Sequence, residues 1–309
     1  MQIDPKDIVL SPGVVPAIGY LIELLTSPGD GVIIQPPVYF PFSKMIKNHG
    51  RNIVENALLN DNGYYTMDYE NLKNEAANPA NKLLILCSPH NPVGRVWKKD
   101  ELSRLIEICS QNNVRIISDE IHSDLIRKNV KHTSLELVNP SYKNSIITCT
   151  SPSKSFNLAG LQISNIIIHD AQIREDWVNY VNNTLAISDP TPFSQCAAQA
   201  AYEECSDWLS QLNAYIDDNI EYLLNFVRIK LPKAHVVPPE GTYLVWLDLS
   251  EYGYKNNELN DILIEKAKVL LENGTLFGKQ GEGYMRVNVA CPRKMLKEGL
   301  ENIAKVLES

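Results

Sequence analysis

The sequence predicts an α/β fold, with a large domain built on a mostly parallel sheet between helices and a smaller C-terminal α+β domain. Three observations carry this reading. Five short runs, "GVIIQ", "KLLILC", "VRIIS", "SIITC" and "SNIIIH", are apolar at consecutive positions, as strands of a parallel sheet covered on both faces must be. Between the second and third, "KKDELSRLIEICSQNN" places Leu102, Leu105, Ile106 and Cys109 at helical spacing, which makes a strand, helix, strand unit of the kind that repeats in doubly wound sheets. After about residue 225 the pattern changes.

Along the chain, "LSPGVVPAIGYLIELL" comes first, a glycine turn entering an amphipathic helix with Pro16 in its first turn. The five strands and their intervening amphipathic stretches follow to about residue 185. The proline-marked break "SDPTPF" then leads into a long helical region over roughly residues 193 to 230. Beyond it, "GTYLVWLDL" and "GYMRVNVAC" read as strands, while "NELNDILIEKAKVLLENG" and "KMLKEGLENIAKVL" read as helices. The expected division is residues 1–224 for the large domain and 225–309 for the small one. No internal repeat or low-complexity segment interrupts the pattern.

Composition narrows the function classes. With 309 residues, 44% of them apolar, there is enough material for a core under each domain. A net charge of -8 repels polyanions, which argues against nucleic acid or an anionic membrane surface as partner. The six cysteines, at positions 87, 109, 149, 196, 205 and 291, form no close pair of the CxxC kind. Neither a zinc cage nor a thioredoxin-type motif is written, and several of them read as small core residues. The start carries no secretory pattern and no run is apolar for long enough to span a bilayer, so the expectation is a soluble protein of a reducing cytoplasm.

In open parallel sheets ligands bind outside the carboxyl ends of the strands, where loops and helix N-termini converge. Directly after "KLLILC" stands Asn91 in "SPHNPVG"; after "VRIIS" stand Asp119 and His122 in "DEIH"; after "SIITC" stand Ser151, Ser153 and Lys154 in "TSPSK". An amide, a carboxylate and an amine are thus offered to one crevice. The helix start at Gly13, Val14 and Val15 adds free backbone N–H groups suited to a phosphate. This is the set that pyridoxal phosphate needs: an amine for the aldehyde, a carboxylate for the pyridinium nitrogen, and donors for the phenolic oxygen and phosphate. The duller alternatives are a solvated lysine, an aspartate acting as a helix cap, and Glu120 as a surface or supporting residue. Ser151 to Lys154 also spell the S-x-x-K motif of serine acyl hydrolases, but that family needs S-D-N and K-T-G, and the chain offers only "SDP" at 188 to 190 and no K-T-G.

The segments "SPGVVPAI", "IQPPVYFPF", "CSPHNPVGRVW", "SDEIHSDL", "TSPSKSFNLAGLQISN", "VVPPEGTYLVWLDL" and "MRVNVACP" resemble, in this order, the fold-type I pyridoxal phosphate enzymes of the aminotransferase class I/II superfamily. The resemblance runs over essentially the whole chain. It is strongest to the carbon–sulfur β-lyase branch, which includes cystathionine β-lyases and cysteine-S-conjugate β-lyases.

The resemblance implies that Lys154 is the Schiff-base lysine and the base for the Cα proton, that Asp119 pairs with the pyridinium nitrogen, and that Asn91 donates to the phenolic oxygen. It implies that Tyr39 stacks on the cofactor ring, that Gly13, Val14, Val15, Ser151 and Ser153 hold the phosphate, and that Arg286 binds the substrate α-carboxylate. Two positions depart from the wider superfamily: His122 stands where aminotransferases commonly carry a tyrosine, and Gln162 where many carry a phosphate-binding arginine. Both departures are features of the β-lyase branch. His90 and His132 are read as structural.

The implied activity is α,β-elimination of cystathionine or a related cysteine S-conjugate to thiol, pyruvate and ammonia, by a homodimer. The rivals are an aminotransferase of amino acids and a cofactor-binding protein with little turnover. The last gains weight from the start of the sequence: members of the family carry an N-terminal arm before the segment matching "DIVLSPG". That arm helps to close the active site and supplies a tyrosine across the dimer interface, so weaker closure and reduced activity are expected without it.

Overall fold

The computed structural model describes residues 3–187 and 189–308; Ser188, the serine of "SDP", lies outside the described residues. Its main sheet has seven strands, β1 (Ile8–Ser11), β2 (Gly31–Ile34), β3 (Asn52–Glu55), β6 (Asn81–Cys87), β7 (Arg115–Asp119), β8 (Ile146–Thr150) and β9 (Ser164–Ile168). Two further short strands, β4 (Leu59–Asp61) and β5 (Tyr64–Thr66), make a separate hairpin. The order across the main sheet is β1-β9-β8-β7-β6-β2-β3.

Strands β2, β3, β6, β7 and β8 are parallel, as the continuous apolar runs require. The run "SNIIIH" departs from the expectation, because β9 is antiparallel to β8 and to β1. A parallel return needs a crossover, usually a full helix. The chain between β8 and β9 contains only the single turn α5 (Pro152–Ser155) and a 3-10 turn, so it comes back at the same end of the sheet.

Period-2 alternation divides the strand residues between two cores. Leu83, Ile85, Ile117 and Ile147 face α1 (Val14–Leu25), α2 (Pro41–Asn48) and α6 (Ala171–Val178), meeting Ile18, Phe42 and Trp177. Leu84, Leu86, Ile116 and Ile146 face α3 (Tyr69–Ala77) and α4 (Lys99–Gln111), meeting Leu72, Leu105 and Trp97. All of these side chains but Trp177, Trp97 and Ile146, at 2, 1 and 1%, are wholly buried.

The expected long helical region is two helices, α7 (Pro192–Glu204) and α8 (Ser206–Lys230), interrupted at Cys205. A second sheet, in the order β10-β11-β13-β12, is antiparallel throughout and comprises β10 (His235–Val236), β11 (Leu244–Asp248), β12 (Glu272–Asn273) and β13 (Tyr284–Asn288). Its core takes Ile216, Ile220 and Leu223 from α8, so the boundary expected near residue 225 falls inside a helix already packed on this sheet. It is completed by α9 (Asn256–Glu265) and α10 (Arg293–Leu307). The helix read through "NELNDILIEKAKVLLENG" ends at Glu265, since the chain turns through Lys268 in the left-handed region and then forms β12. Among the described residues no helix is long and apolar enough to cross a membrane.

The segment following β12 passes over the main domain at close quarters. Gly274 and Gly281 face each other so closely that a Cβ on Gly281 would stand 2.0 Å from the Gly274 carbonyl oxygen. Gly281→Ala is therefore expected to lower unfolding free energy by about 1–3 kcal/mol. Gly299→Ala, inside α10 with its nearest new neighbour at 3.8 Å, should raise it by about 0.5–1 kcal/mol through helix propensity. Urea unfolding of the two variants checks the pair; equal effects would defeat the packing argument.

Candidate active site

The register of the central strands levels their carboxyl ends. Cys87 of β6 pairs with Asp119 of β7, and Asp119 pairs with Cys149 of β8. Three consecutive loops leave from this row, which brings Asn91, His122, Ser151, Ser153 and Lys154 to one cavity of about 410 Å³. Gly13, Val14, Val15 and Tyr39 line it from the α1 and α2 side, and Arg286 from β13. All the residues singled out in the sequence for cofactor or substrate thus border the same space.

Asp119 is 3% exposed. Its Oδ1 accepts from the Ile121 N–H at 3.1 Å. Burial pushes its carboxyl up to about 7, against that backbone bond and the nearby Lys154 charge, which favour ionisation. Glu120, read from the sequence as surface or supporting, is buried. Alternation turns it to the opposite side from Asp119, where it accepts from the Ser118 hydroxyl (2.9 Å) and the Leu135 N–H (3.0 Å) and pairs with His132 (3.0 Å).

His122 is buried and its Nδ1 has no partner among the described residues. Burial, with the Lys154 and Arg286 charges, pushes its pKa down to about 3, so the ring is neutral and keeps one donor and one acceptor nitrogen. Tyr243 meets it edge-on at 5.6 Å.

Lys154 is the third residue of the one-turn helix α5, and among the described residues its amine has no hydrogen bond or ion pair. Ser151 caps that turn: its hydroxyl accepts from the Ser153 N–H (3.1 Å) and donates to the Ile163 carbonyl (2.8 Å). Its proton is thereby committed to the backbone, so it shapes the turn and leaves Ser153 as the hydroxyl open to the cavity. Ser155, donating to Asp124 at 2.7 Å, pins the other side of the lysine.

At the start of α1, Gly13 makes no side-chain cap bond, which leaves the first N–H groups facing the cavity they line. Gln162 also lines it, in a left-handed conformation.

The loop bearing Asn91 is tied down on both sides. His90, wholly buried, donates from Nε2 to the Pro37 carbonyl at 2.9 Å, joining it to the turn that carries Tyr39; burial holds its pKa down at about 4. Arg95 pairs with Glu240 (2.8 Å) and Glu101 (2.9 Å). Arg286 Nη1 donates to Asn91 Oδ1 at 2.7 Å. A guanidinium can only donate, so the amide oxygen must face it and Nδ2 is left as a donor for another group.

Sequence reasoning did not find Tyr243 or Glu272, which also line the cavity. Tyr243 stands at the start of the recognised run "GTYLVW", where period-2 alternation could have marked it. Glu272 depends on β12, a strand of two residues that no pattern announces.

Residues 1–303 match the family described as aminotransferase class I and II. Cystathionine beta-lyase PatB of Bacillus subtilis (strain 168) is 40% identical over 306 residues, covering 99% of this chain and 79% of its own. Among solved structures, cystalysin from Treponema denticola, which contains pyridoxal 5'-phosphate, superposes with a TM-score of 0.97 at 39% identity, covering 99% of this chain and 78% of its own. A PLP-bound C-S lyase from Staphylococcus hominis does so with a TM-score of 0.94 at 36% identity, covering 100% and 78%.

The raised carboxyl of Asp119 has a measurable consequence. A group whose folded pKa lies above its unfolded value binds extra protons when folded. Its contribution to stability is complete below about pH 4 and is lost as the pH rises through about 7. In cofactor-free protein, Asp119→Asn should therefore be more stable than the parent at pH 8, by roughly 2–4 kcal/mol. The gain should shrink towards pH 4. Scanning calorimetry across that range is the check, and a gain independent of pH would contradict the assigned cause.

Proposed function

The chain belongs to the aminotransferase class I and II family, and we propose that it is a pyridoxal-phosphate-dependent carbon–sulfur β-lyase cleaving cystathionine or related cysteine S-conjugates. The observation that carries this is the meeting of an unpartnered amine (Lys154), a buried carboxylate (Asp119), an amide oriented to donate (Asn91) and a largely buried guanidinium (Arg286) in one cavity. The cystalysin and C-S lyase structures compared above are a cofactor carrier and a lyase by their own descriptions, which supports the reading.

The residues fit the cofactor. Asp119 has one backbone donor on Oδ1 and otherwise awaits a cationic N–H, for which a pyridinium is suited. Asn91 Nδ2 and the neutral His122 ring supply neutral hydrogen-bonding groups, and Tyr39 supplies a flat aromatic face. Val14, Val15 and Gly13 at the start of α1, with Ser153, offer donors for a phosphate. Ser151 contributes through the turn it caps. Bound pyridoxal phosphate supplies an aldehyde that bonds to amines and a protonated ring that draws electrons away from the substrate Cα.

Lys154 would hold that aldehyde through Nζ and, once exchanged for the substrate amine, serve as base for the Cα proton. Its position is set by the α5 turn, pinned at Ser151 and Ser155. Arg286 would receive the α-carboxylate, since its planar fork matches two carboxylate oxygens. Asp119, held ionised by a pyridinium, keeps the ring protonated. Departure of the β-thiolate after Cα deprotonation leaves a product that hydrolyses to pyruvate and ammonia.

We further propose that the enzyme is a cytoplasmic homodimer acting on small amino acids. Exposed apolar side chains on α7 and α8, with Phe193 at 81% and Tyr202 and Trp208 near half, support a second copy there.

Purified protein given pyridoxal phosphate and L-cystathionine should release thiol, pyruvate and ammonia in equal amounts with no 2-oxo acid added. Lys154→Ala should lower kcat about 10³-fold or more. Strict dependence on a 2-oxo acid acceptor would instead identify an aminotransferase.

A further inference from the structure

Strands β12 and β13 are antiparallel, and Glu272 stands directly opposite Arg286. Direct cross-strand partners have Cβ atoms about 5 Å apart, so the backbone itself holds this carboxylate beside that guanidinium. The outcome is an ion pair between Arg286 Nη2 and Glu272 Oε2 at the wall of the cavity that both line.

The two partners are unequally buried. The Arg286 side chain is 12% exposed, and that of Glu272 44%. Arg286 is also held from two other directions, by Asn91 at Nη1 (2.7 Å) and by the Phe277 ring 4.8 Å from its central carbon. The guanidinium thus has ties besides Glu272, while the glutamate, on a short edge strand, has no other side-chain partner among the described residues. A substrate carboxylate bound in the two-point manner uses two parallel N–H groups of the fork. Glu272 occupies one of them.

We propose that Glu272 is a specificity-determining residue, an internal carboxylate that occupies the Arg286 fork in the empty enzyme and that a substrate α-carboxylate must displace. Only a ligand that returns two oxygens to the guanidinium replaces what is lost, so one-point anions such as chloride are disfavoured. The proposal rests on the reading of Arg286 as the carboxylate-binding residue.

The test is titration calorimetry of propionate into cofactor-loaded protein, for the parent, Glu272→Gln and Arg286→Gln. Cofactor absorbance serves as the check that each variant is folded and loaded. With the competing charge removed, Glu272→Gln should bind propionate about fivefold more tightly than the parent. Its KM for L-cystathionine should fall in the same direction. Arg286→Gln should weaken propionate binding. Equal or weaker binding by Glu272→Gln, with Arg286→Gln impaired, overturns the displacement role alone. Unimpaired binding by Arg286→Gln overturns the reading of Arg286 beneath it, and the displacement role falls with it.

Discussion

The architecture is organised around one expensive feature, a carboxylate placed at the end of the most central strands and removed from water. Burying an ionised carboxylate without a partner costs several kcal/mol, and Asp119 at 3% exposure meets that condition apart from one backbone N–H and the charge of Lys154. A fold keeps such a group only where something else neutralises it. The register that levels Cys87, Asp119 and Cys149 explains why the remaining groups arrive at the same place. Each loop starts from the same height in the sheet, so residues three to five positions further along reach a common cavity.

The strands were legible because burial on both faces demands consecutive apolar residues, and Leu83 to Leu86 or Ile116 and Ile117 leave little alternative. The site was legible for the same reason: polar residues directly after such runs have one place to go. Direction was less so. Nothing in "SNIIIH" distinguishes a parallel from an antiparallel strand, since both faces of β9 are covered either way, and the turn length before it decides the matter. The end of α9 and the existence of β12 were hidden because short edge strands are defined by their neighbours' hydrogen bonds and not by composition. Ser151 illustrates a further limit. A serine after a strand has the chemistry of an anion donor and of a helix cap alike, and only the positions of Ile163 and Ser153 show where its proton goes.

The two sides of the cavity are built to different standards. On the side of the main sheet, His90 ties the Asn91 loop to the turn before Tyr39, and Arg95 anchors it to Glu101 and to Glu240 ahead of β11. His90 and Arg95 are themselves buried, and removing a partner of either would strand a polar group away from water. On the side of the second sheet, Arg286 reaches across from β13, next to an edge strand of two residues, and its bond to Asn91 is its polar tie to the main-sheet loops. Such an arrangement suits a chemistry in which one ligand stays and another turns over. A resident group requires donors whose positions do not depend on the ligand, because reorganisation at each encounter would subtract from binding. A transient one requires a charged receptor that is rigid in itself yet can shed its resting partner to solvent. Arg286 is fixed by Asn91 and Phe277, whereas Glu272 is close to half exposed. The contrast follows from sheet position: central parallel strands are covered on both faces and edge strands of a small antiparallel sheet are not, so the firmly tied and the more exposed sides of the cavity are distributed as the fold distributes burial.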